Sequence, residues 1–236
     1  MADSDLTPCF VEALHPRTPR TATPARPFLT ISRQYGCGGF RLALQVQDVL
    51  CAQGGLPWVV YSKEIVQKLA TETQSSADVV QHERRRGSEP LVEFFRSLTL
   101  EKTPSNHEVR HRTAELIRDL AAPGGVIVVG LGGAAATREL PNGLSVRLEA
   151  PLEWRVQQVV LHQCIGEEQA RARLETVERE REYLHDFYAK WFPRKPAFHL
   201  TIDASVFALE DIAQHLAWHL SGMTPVLRLA KADRSA

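Results

Sequence analysis

Three glycines fall within four residues in the segment Arg33-Gln34-Tyr35-Gly36-Cys37-Gly38-Gly39-Phe40-Arg41, between an apolar run and a helical pattern. At such a junction glycine lets the backbone come close to a ligand, several N–H groups converge, and the dipole of the following helix adds positive potential. Phosphate is the natural ligand. The amides of Gly36, Cys37, Gly38, Gly39 and Phe40 would hold it, and Arg33 and Arg41 would neutralise its charge. The stretch does not satisfy GxxxxGK[ST], because Gly39 stands where the lysine belongs, nor GxGxxG, because Arg41 takes the third glycine position. A tight turn that needs glycine only for its dihedral angles is the alternative, and the crowding of three glycines speaks against it. Cys37 inside such a loop would feel positive potential, which lowers a thiol pKa. A small residue filling space is the plainer account of it.

Arginines form the second group. Arg155 opens a helical pattern, and Arg171, Arg173, Arg179 and Arg181 crowd another. A guanidinium fork matches phosphate oxygens better than an ammonium does. The competing account is a solvated helix carrying i,i+4 ion pairs such as Glu167–Arg171 and Glu175–Arg179. Arg84-Arg85-Arg86 reads as an exposed helix end.

Two further patterns compete. His107-Glu108-Val109-Arg110-His111 matches HExxH, which on a helix could bind zinc and place a general base. Charged Arg110 and Arg112 flank its second histidine, and Val109, Leu116, Ile117 and Leu120 give the helix an ordinary core face. A zinc-dependent hydrolase is therefore the remote alternative, and no metal ligand is assigned. Gly130-Leu131-Gly132-Gly133-Ala134-Ala135, with Glu149 ending the next strand, resembles a dinucleotide fingerprint. Its intervening helix of about eight residues is short for a crossover of roughly 30 residues. His215 and His219, one turn apart, read as surface or packing residues.

The elements that must hold these residues alternate. Strands are expected at Phe28–Ile31, Trp58–Tyr61, Val126–Val129, Ser145–Leu148 and Leu200–Ile202. Leu42, Val46, Val49 and Leu50 recur at helical spacing and stop at Gly54-Gly55; further helices are expected at 63–73, 76–86, 89–100, 107–121, 152–164, 167–190 and 208–221. Strands separated by helices predict an α/β fold with a mostly parallel sheet covered on both faces.

The bulk chemistry sets limits. The 236 residues carry 28 Lys+Arg against 28 Asp+Glu, with 44% hydrophobic and 24% charged residues. That composition suits one compact domain and excludes a dedicated nucleic-acid-coating or polybasic membrane-surface protein. Cys9, Cys37, Cys51 and Cys164 form no CxxC pair, so neither a zinc ribbon nor a disulfide framework is indicated. No run of 18 apolar residues and no leader-like apolar segment is present, so a soluble cytoplasmic protein without membrane partners is expected. Residues 1–27, rich in Pro, Thr and Arg, read as a disordered tail; the domain is expected over 28–223, with a C-terminal tail over 224–236.

Ile31-Ser32-Arg33-Gln34-Tyr35-Gly36-Cys37-Gly38-Gly39, followed by Tyr61-Ser62-Lys63-Glu64-Ile65, resembles the cytidylate-kinase-like family of P-loop proteins, whose members typically show ISREYGSGGR and a strand ending YDKE. The similarity continues through Val126–Gly133, through Ala150-Pro151-Leu152-Glu153-Trp154-Arg155-Val156, and through Val177-Glu178-Arg179-Glu180-Arg181-Glu182-Tyr183, close to the family's VDxxRxxYy. The segments stand in family order across about 30–221. The resemblance implies a three-layer P-loop fold with a five-stranded parallel sheet, a helical monophosphate-binding region and a lid at about 165–192. It implies transfer of a phosphoryl group from ATP, with Mg²⁺, to a nucleoside monophosphate, CMP or dCMP. Arg33, Arg155 and Arg181 would then be catalytic, and Tyr61, Lys63, Gly130, Gly132 and Gly133 would face the nucleotide acceptor. A homo-oligomer is left open.

Four positions depart from the pattern. Phe40 replaces the basic residue after the glycines, Ser62 the aspartate of YDKE, Leu131 the arginine of the GRG segment, and Glu178 the aspartate of VDxxR. Phosphoryl transfer depends on cations placed around the moving group. A catalytically degenerate nucleotide-binding or regulatory protein of the same fold is therefore the alternative.

Overall fold

A computed structural model describes residues 25–54, 57–62, 106–191 and 198–232. Five strands, β1 (Phe28–Arg33), β2 (Val59–Ser62), β3 (Val126–Val129), β4 (Gly143–Glu149) and β5 (Leu200–Asp203), form one sheet in the order β2-β3-β1-β4-β5. All four pairings are parallel. Each expected strand is present, its ends unchanged or moved by one or two residues. The helices expected at 63–73, 76–86 and 89–100, and the tail before residue 25, lie outside the described residues.

Parallel strands need crossovers, and the helices that make them cover both faces. Helix α1 (Gly39–Ala52) follows β1. Helix α2 (Asn106–Ala121) precedes β3, and α3 (Gly133–Ala136) follows it. Helices α4 (Leu152–Gln163) and α5 (Glu167–Trp191) connect β4 to β5, and α6 (Leu209–Ala232) closes the described chain. The helix expected at 208–221 thus runs eleven residues further, through Leu227, Leu229 and Ala230, which are good helix formers.

Alternation along β1 divides the core. Leu29 and Ile31 face one layer with Leu42, Val46 and Leu50 of α1 and Ile212, Leu216 and Leu220 of α6. Phe28 faces the other, with Ala114, Ile117 and Leu120 of α2 and Val126 and Val128 of β3. Helices α4 and α5 carry their own small cluster of Val156, Val159, Ala170 and Leu174. Helices α4 and α5 therefore pack on each other, and Tyr35 reaches into this cluster from the sheet side.

Arg26, assigned to the tail by composition, is anchored. Its amide donates to Pro123 O at 3.1 Å, and its guanidinium lies 5.4 Å from the centroid of the buried Trp58 ring. The amide of Gly125 donates to Pro27 O at 2.8 Å. Backbone pairing across the amino ends of β1 and β3 thus starts before the apolar pattern that marks the strand.

Candidate functional site

Strand β1 feeds α1 on one face of the sheet, while β3 feeds α3 on the other. Loops that part in this way leave a crevice at the carboxyl ends of adjacent strands, where open α/β sheets bind ligands. The glycine loop lines it. Gly36 (φ +92°) and Gly38 (φ +69°) are left-handed, and Gly38 is the N-cap of α1. No side chain caps that helix, and its first turn holds no acidic residue. The first-turn amides of Gly39, Phe40 and Arg41 have no intrahelical acceptor, so they form a donor cluster at the positive end of the helix.

Gly39 is glycine because Arg33 lies over it. A Cβ there would come within 3.0 Å of Arg33 Cγ and 3.2 Å of its Cδ. The same side chain continues to the loop after β3, where any side chain on Gly130 would overlap the Arg33 guanidinium. Gly130 (φ +74°), Leu131 (φ +55°) and Gly132 (φ +70°) are consecutive left-handed residues, closed by Gly133 N–H donating to Gly130 O at 2.8 Å. A left-handed leucine is uncommon and strained. Leu131 is half-buried against the α2 layer, so packing holds it there. Arg33 spans the crevice from the β1 loop to the β3 loop, and covers the β3 loop where Leu131 supplies no cation.

The other arginines are placed differently. Arg41, expected to neutralise phosphate, places NH1 2.8 Å from His162 Nε2 on α4. Arg155 is buried; its Nε donates to Ala150 O at 3.0 Å and its NH1 to Tyr35 O at 3.4 Å. Arg181 NH1 donates to Arg33 O at 2.9 Å, and its guanidinium lies 5.6 Å from the Tyr35 ring centroid. Burial pulls Arg181 below the ordinary arginine range, opposed first by the Glu178 charge. Arg171 forks onto Glu153 and also meets Glu167, and Arg179 meets Glu175. Those two α5 arginines are in the i,i+4 ion pairs read from the sequence, with Glu153 as an additional partner of Arg171.

Cys37 packs as a small space-filling residue. Its side chain turns into the apolar layer beneath the loop and is 1% exposed. Burial pushes its thiol up to about 11, against the opposing pull of Arg155. The positive potential on the open side of the loop does not prevail at this sulfur.

On the acceptor side, Tyr61 is buried in the layer between the sheet and α2, and Ser62 at the end of β2 is fully buried. Lys63 lies outside the described residues. Gly133 begins α3 against Val128 Cγ1, where a Cβ would come within 3.0 Å, so packing explains this glycine. The dinucleotide fingerprint is answered by α3, which has four residues and not eight. In the HEVRH segment, His111 Nδ1 meets Glu115 Oε2 at 3.4 Å, and the side chains of His107 and Glu108 lie outside the described residues. Among the described residues no three His, Cys, Asp or Glu side chains converge on a metal position.

Three residues escaped sequence reasoning. Gln34 pins the loop to the end of β4: its N–H donates to Leu148 O at 2.9 Å, and its Oε1 accepts from Ala150 N–H at 3.0 Å. Tyr35 donates its N–H to Glu178 Oε1 at 2.6 Å, and its hydroxyl accepts from Gln163 Nε2 at 2.8 Å. Glu178 also lies 3.6 Å from Arg155 NH1 and 3.5 Å from Arg181 NH1. The spacing Glu178-xx-Arg181 was visible in the sequence, but its target across the fold was not.

The parallel β2-β3-β1-β4-β5 order with a glycine loop between β1 and α1 is a three-layer P-loop NTPase-like fold. The sequence profile of the cytidylate kinase-like family matches residues 28–206, and the chain belongs to that family. Among solved structures it is similar to an uncharacterised protein from Eubacterium ventriosum, with a TM-score of 0.58 and 14% identity over 84% of this chain and 99% of that one. It is also similar to a gluconokinase from Sinorhizobium meliloti 1021, with a TM-score of 0.45 and 12% identity over 88% and 97%. A shikimate kinase from Acinetobacter baumannii in complex with shikimate gives 0.40 and 17% over 82% and 92%. A search of curated protein sequences finds no match. Among the described residues no helix is long and apolar enough to cross a membrane.

Proposed function

We propose that the chain is an ATP-dependent phosphotransferase whose acceptor is a nucleoside monophosphate, CMP or dCMP. The observation that carries this reading is the uncapped N-terminus of α1 behind left-handed Gly36 and Gly38, with Arg33 spanning from Gly39 to Gly130. This cradle fits a polyphosphate. Amides from Gly36 to Phe40 would hold the donor phosphates, and Arg33 would balance charge between the two loops. ATP, when bound, supplies the phosphoryl group, and the Mg²⁺ it carries shields its charge. No carboxylate cluster offers direct ligands among the described residues, so the metal would be held through phosphate oxygens and water. The exposed Val206 and Phe207, just before Leu209 at the loop, would give the base an apolar contact.

Nucleotide binding without turnover is the second reading. It is favoured by Arg155 and Arg181, which spend their donors on loop carbonyls and Glu178, and by Leu131 and Ser62 at positions where the family pattern is charged.

An ADP-release assay across the four ribonucleoside monophosphates and dCMP, with calorimetric binding of ATP and CMP in parallel, separates the two. Turnover with CMP or dCMP supports the enzyme. Binding without turnover refutes it and leaves the binding protein, and absence of binding to both nucleotides sinks both.

A further inference from the structure

Among the described residues, the side-chain partners of Tyr35 all come from one direction. Its amide donates to Glu178 Oε1 at 2.6 Å, its carbonyl accepts from Arg155 NH1 at 3.4 Å, and its hydroxyl accepts from Gln163 at 2.8 Å. Its ring lies beneath the Arg181 guanidinium and packs on the α4–α5 cluster. Every one of these partners belongs to α4 or α5. The residue immediately after Tyr35 is pressed on the same side, since a Cβ on Gly36 would meet Arg155 O at 2.9 Å. Glu178 is the centre of this set, because its carboxylate meets the Tyr35 amide and both arginines that touch the loop.

We propose that Glu178 is a positioning residue that latches the phosphate loop to α5 through Tyr35, so that the lid helix sets the conformation of the donor cradle. One carboxylate performs two tasks. It accepts the loop amide, and it holds Arg155 and Arg181 on the carbonyls of Tyr35 and Arg33. Those carbonyls flank Gln34, whose own bonds fix the other side of the loop to β4. The loop entrance is thus clamped between the sheet and the lid. A shift of α5 moves Tyr35 and alters the direction of the amides that follow. The consequence for phosphoryl transfer rests on the phosphotransferase reading; the latch itself does not.

The test uses the full chain without nucleotide. Amide hydrogen exchange at residues 33–41 is measured for the wild type, Glu178→Ala, Glu178→Gln and the surface control Arg171→Ala, with ATP binding measured by calorimetry on each. Glu178→Ala is expected to raise exchange at the Tyr35 amide by about tenfold or more, the loss appropriate to a charge-assisted hydrogen bond. Glu178→Gln keeps an oxygen acceptor for that amide, so its Tyr35 exchange rises less, while ATP affinity falls in both. Arg171→Ala leaves the loop unchanged. Unchanged Tyr35 exchange in Glu178→Ala overturns the latch, as does a uniform rise over the whole sheet, which marks a general loss of stability. Should Glu178→Ala not fold, a Glu178→Gln protein with wild-type exchange and ATP affinity equally overturns it. Absence of ATP binding by the wild type defeats the phosphotransferase reading, and the exchange result still decides the latch.

Discussion

Replacing single glycines with alanine separates backbone strain from contact at the loop. At Gly36 the φ of +92° lies in the left-handed half of the map, where an L-residue loses about 1–2 kcal/mol. The added Cβ also meets the Arg155 backbone, with O at 2.9 Å and Cα at 3.2 Å. Backbone cannot swing aside as a flexible side chain can, so the loop or the first turn of α4 must move by a few tenths of an ångström. Overpacking of that kind costs about 1–3 kcal/mol. The sum for Gly36→Ala is about 2–5 kcal/mol. Gly54→Ala supplies the internal comparison: φ is +83° but nothing lies within 4 Å of the added Cβ, so only the strain of about 1–2 kcal/mol applies. Gly166→Ala has neither penalty, since its φ is ordinary and the space is open. Urea denaturation of the three variants should rank them Gly36, Gly54, Gly166 in loss of stability. A Tm shift of roughly 2–4 °C per kcal/mol is expected for a domain of this size. Gly36→Ala should also weaken ATP binding while Gly166→Ala leaves it intact. If Gly36→Ala proves no more destabilising than Gly54→Ala, the contact between the loop and α4 is not made in solution, and the reasoning fails. Gly38 is a poorer probe of ligand contact, because a Cβ there meets Leu209 Cδ1 at 3.1 Å at a φ of +69° and disturbs the fold as well.

Other consequences are more local. Cys37, with its thiol pushed up to about 11, carries roughly one thiolate in a thousand at pH 8, so iodoacetamide followed by mass mapping should label exposed Cys51 and Cys164 well before it. The unfolded chain ionises this thiol near 9, so the stability it contributes is present below that pH and is lost as pH rises towards 11; a denaturation series across pH 8–11 on wild type and Cys37→Ala reads the difference. Arg33→Lys retains the charge but loses the planar fork that reaches Gly130, and should lower ATP affinity about tenfold or more by calorimetry; equal affinity would remove Arg33 from the cradle. Phe207→Ala should weaken ATP binding with little change in melting temperature, because the ring is 55% exposed and contributes little to the core. An unchanged affinity would take the apolar contact out of the site.

Much of the fold follows from local pattern. Apolar runs such as Val126–Val129 are too short for helices and too continuous for surface strands, so a buried parallel sheet was legible, as was the helix after the glycine loop. The glycines at 36, 38, 130 and 132 were read as places where backbone approaches a ligand, and the structure adds that φ is positive at each. The family, too, was readable from the order of its segments, none of which is distinctive alone. Which arginine faces the crevice was not readable. Arg33, Arg41, Arg155 and Arg181 are alike in type, and each sits beside the loop or in a matching motif. What separates them is where a guanidinium ends after four flexible bonds, and that depends on acceptors distant in sequence: His162 for Arg41, Ala150 and Tyr35 carbonyls for Arg155, and the Arg33 carbonyl for Arg181. Cys37 shows the same division. Its place in a glycine loop left a lowered thiol pKa open beside a space-filling role, and only the packed layer beneath the loop decides the sign, since desolvation there outweighs the nearby charge. Glu178 marks the far limit of local reading. The residue is 143 positions from the amide it holds, and periodicity carries no information across that distance. Local sequence determined the elements and the loop, because backbone preferences act between near neighbours. The tertiary structure decided which guanidinium lies between the two glycine loops and which are spent on carbonyls around the loop, because those choices depend on the surfaces that folding brings together.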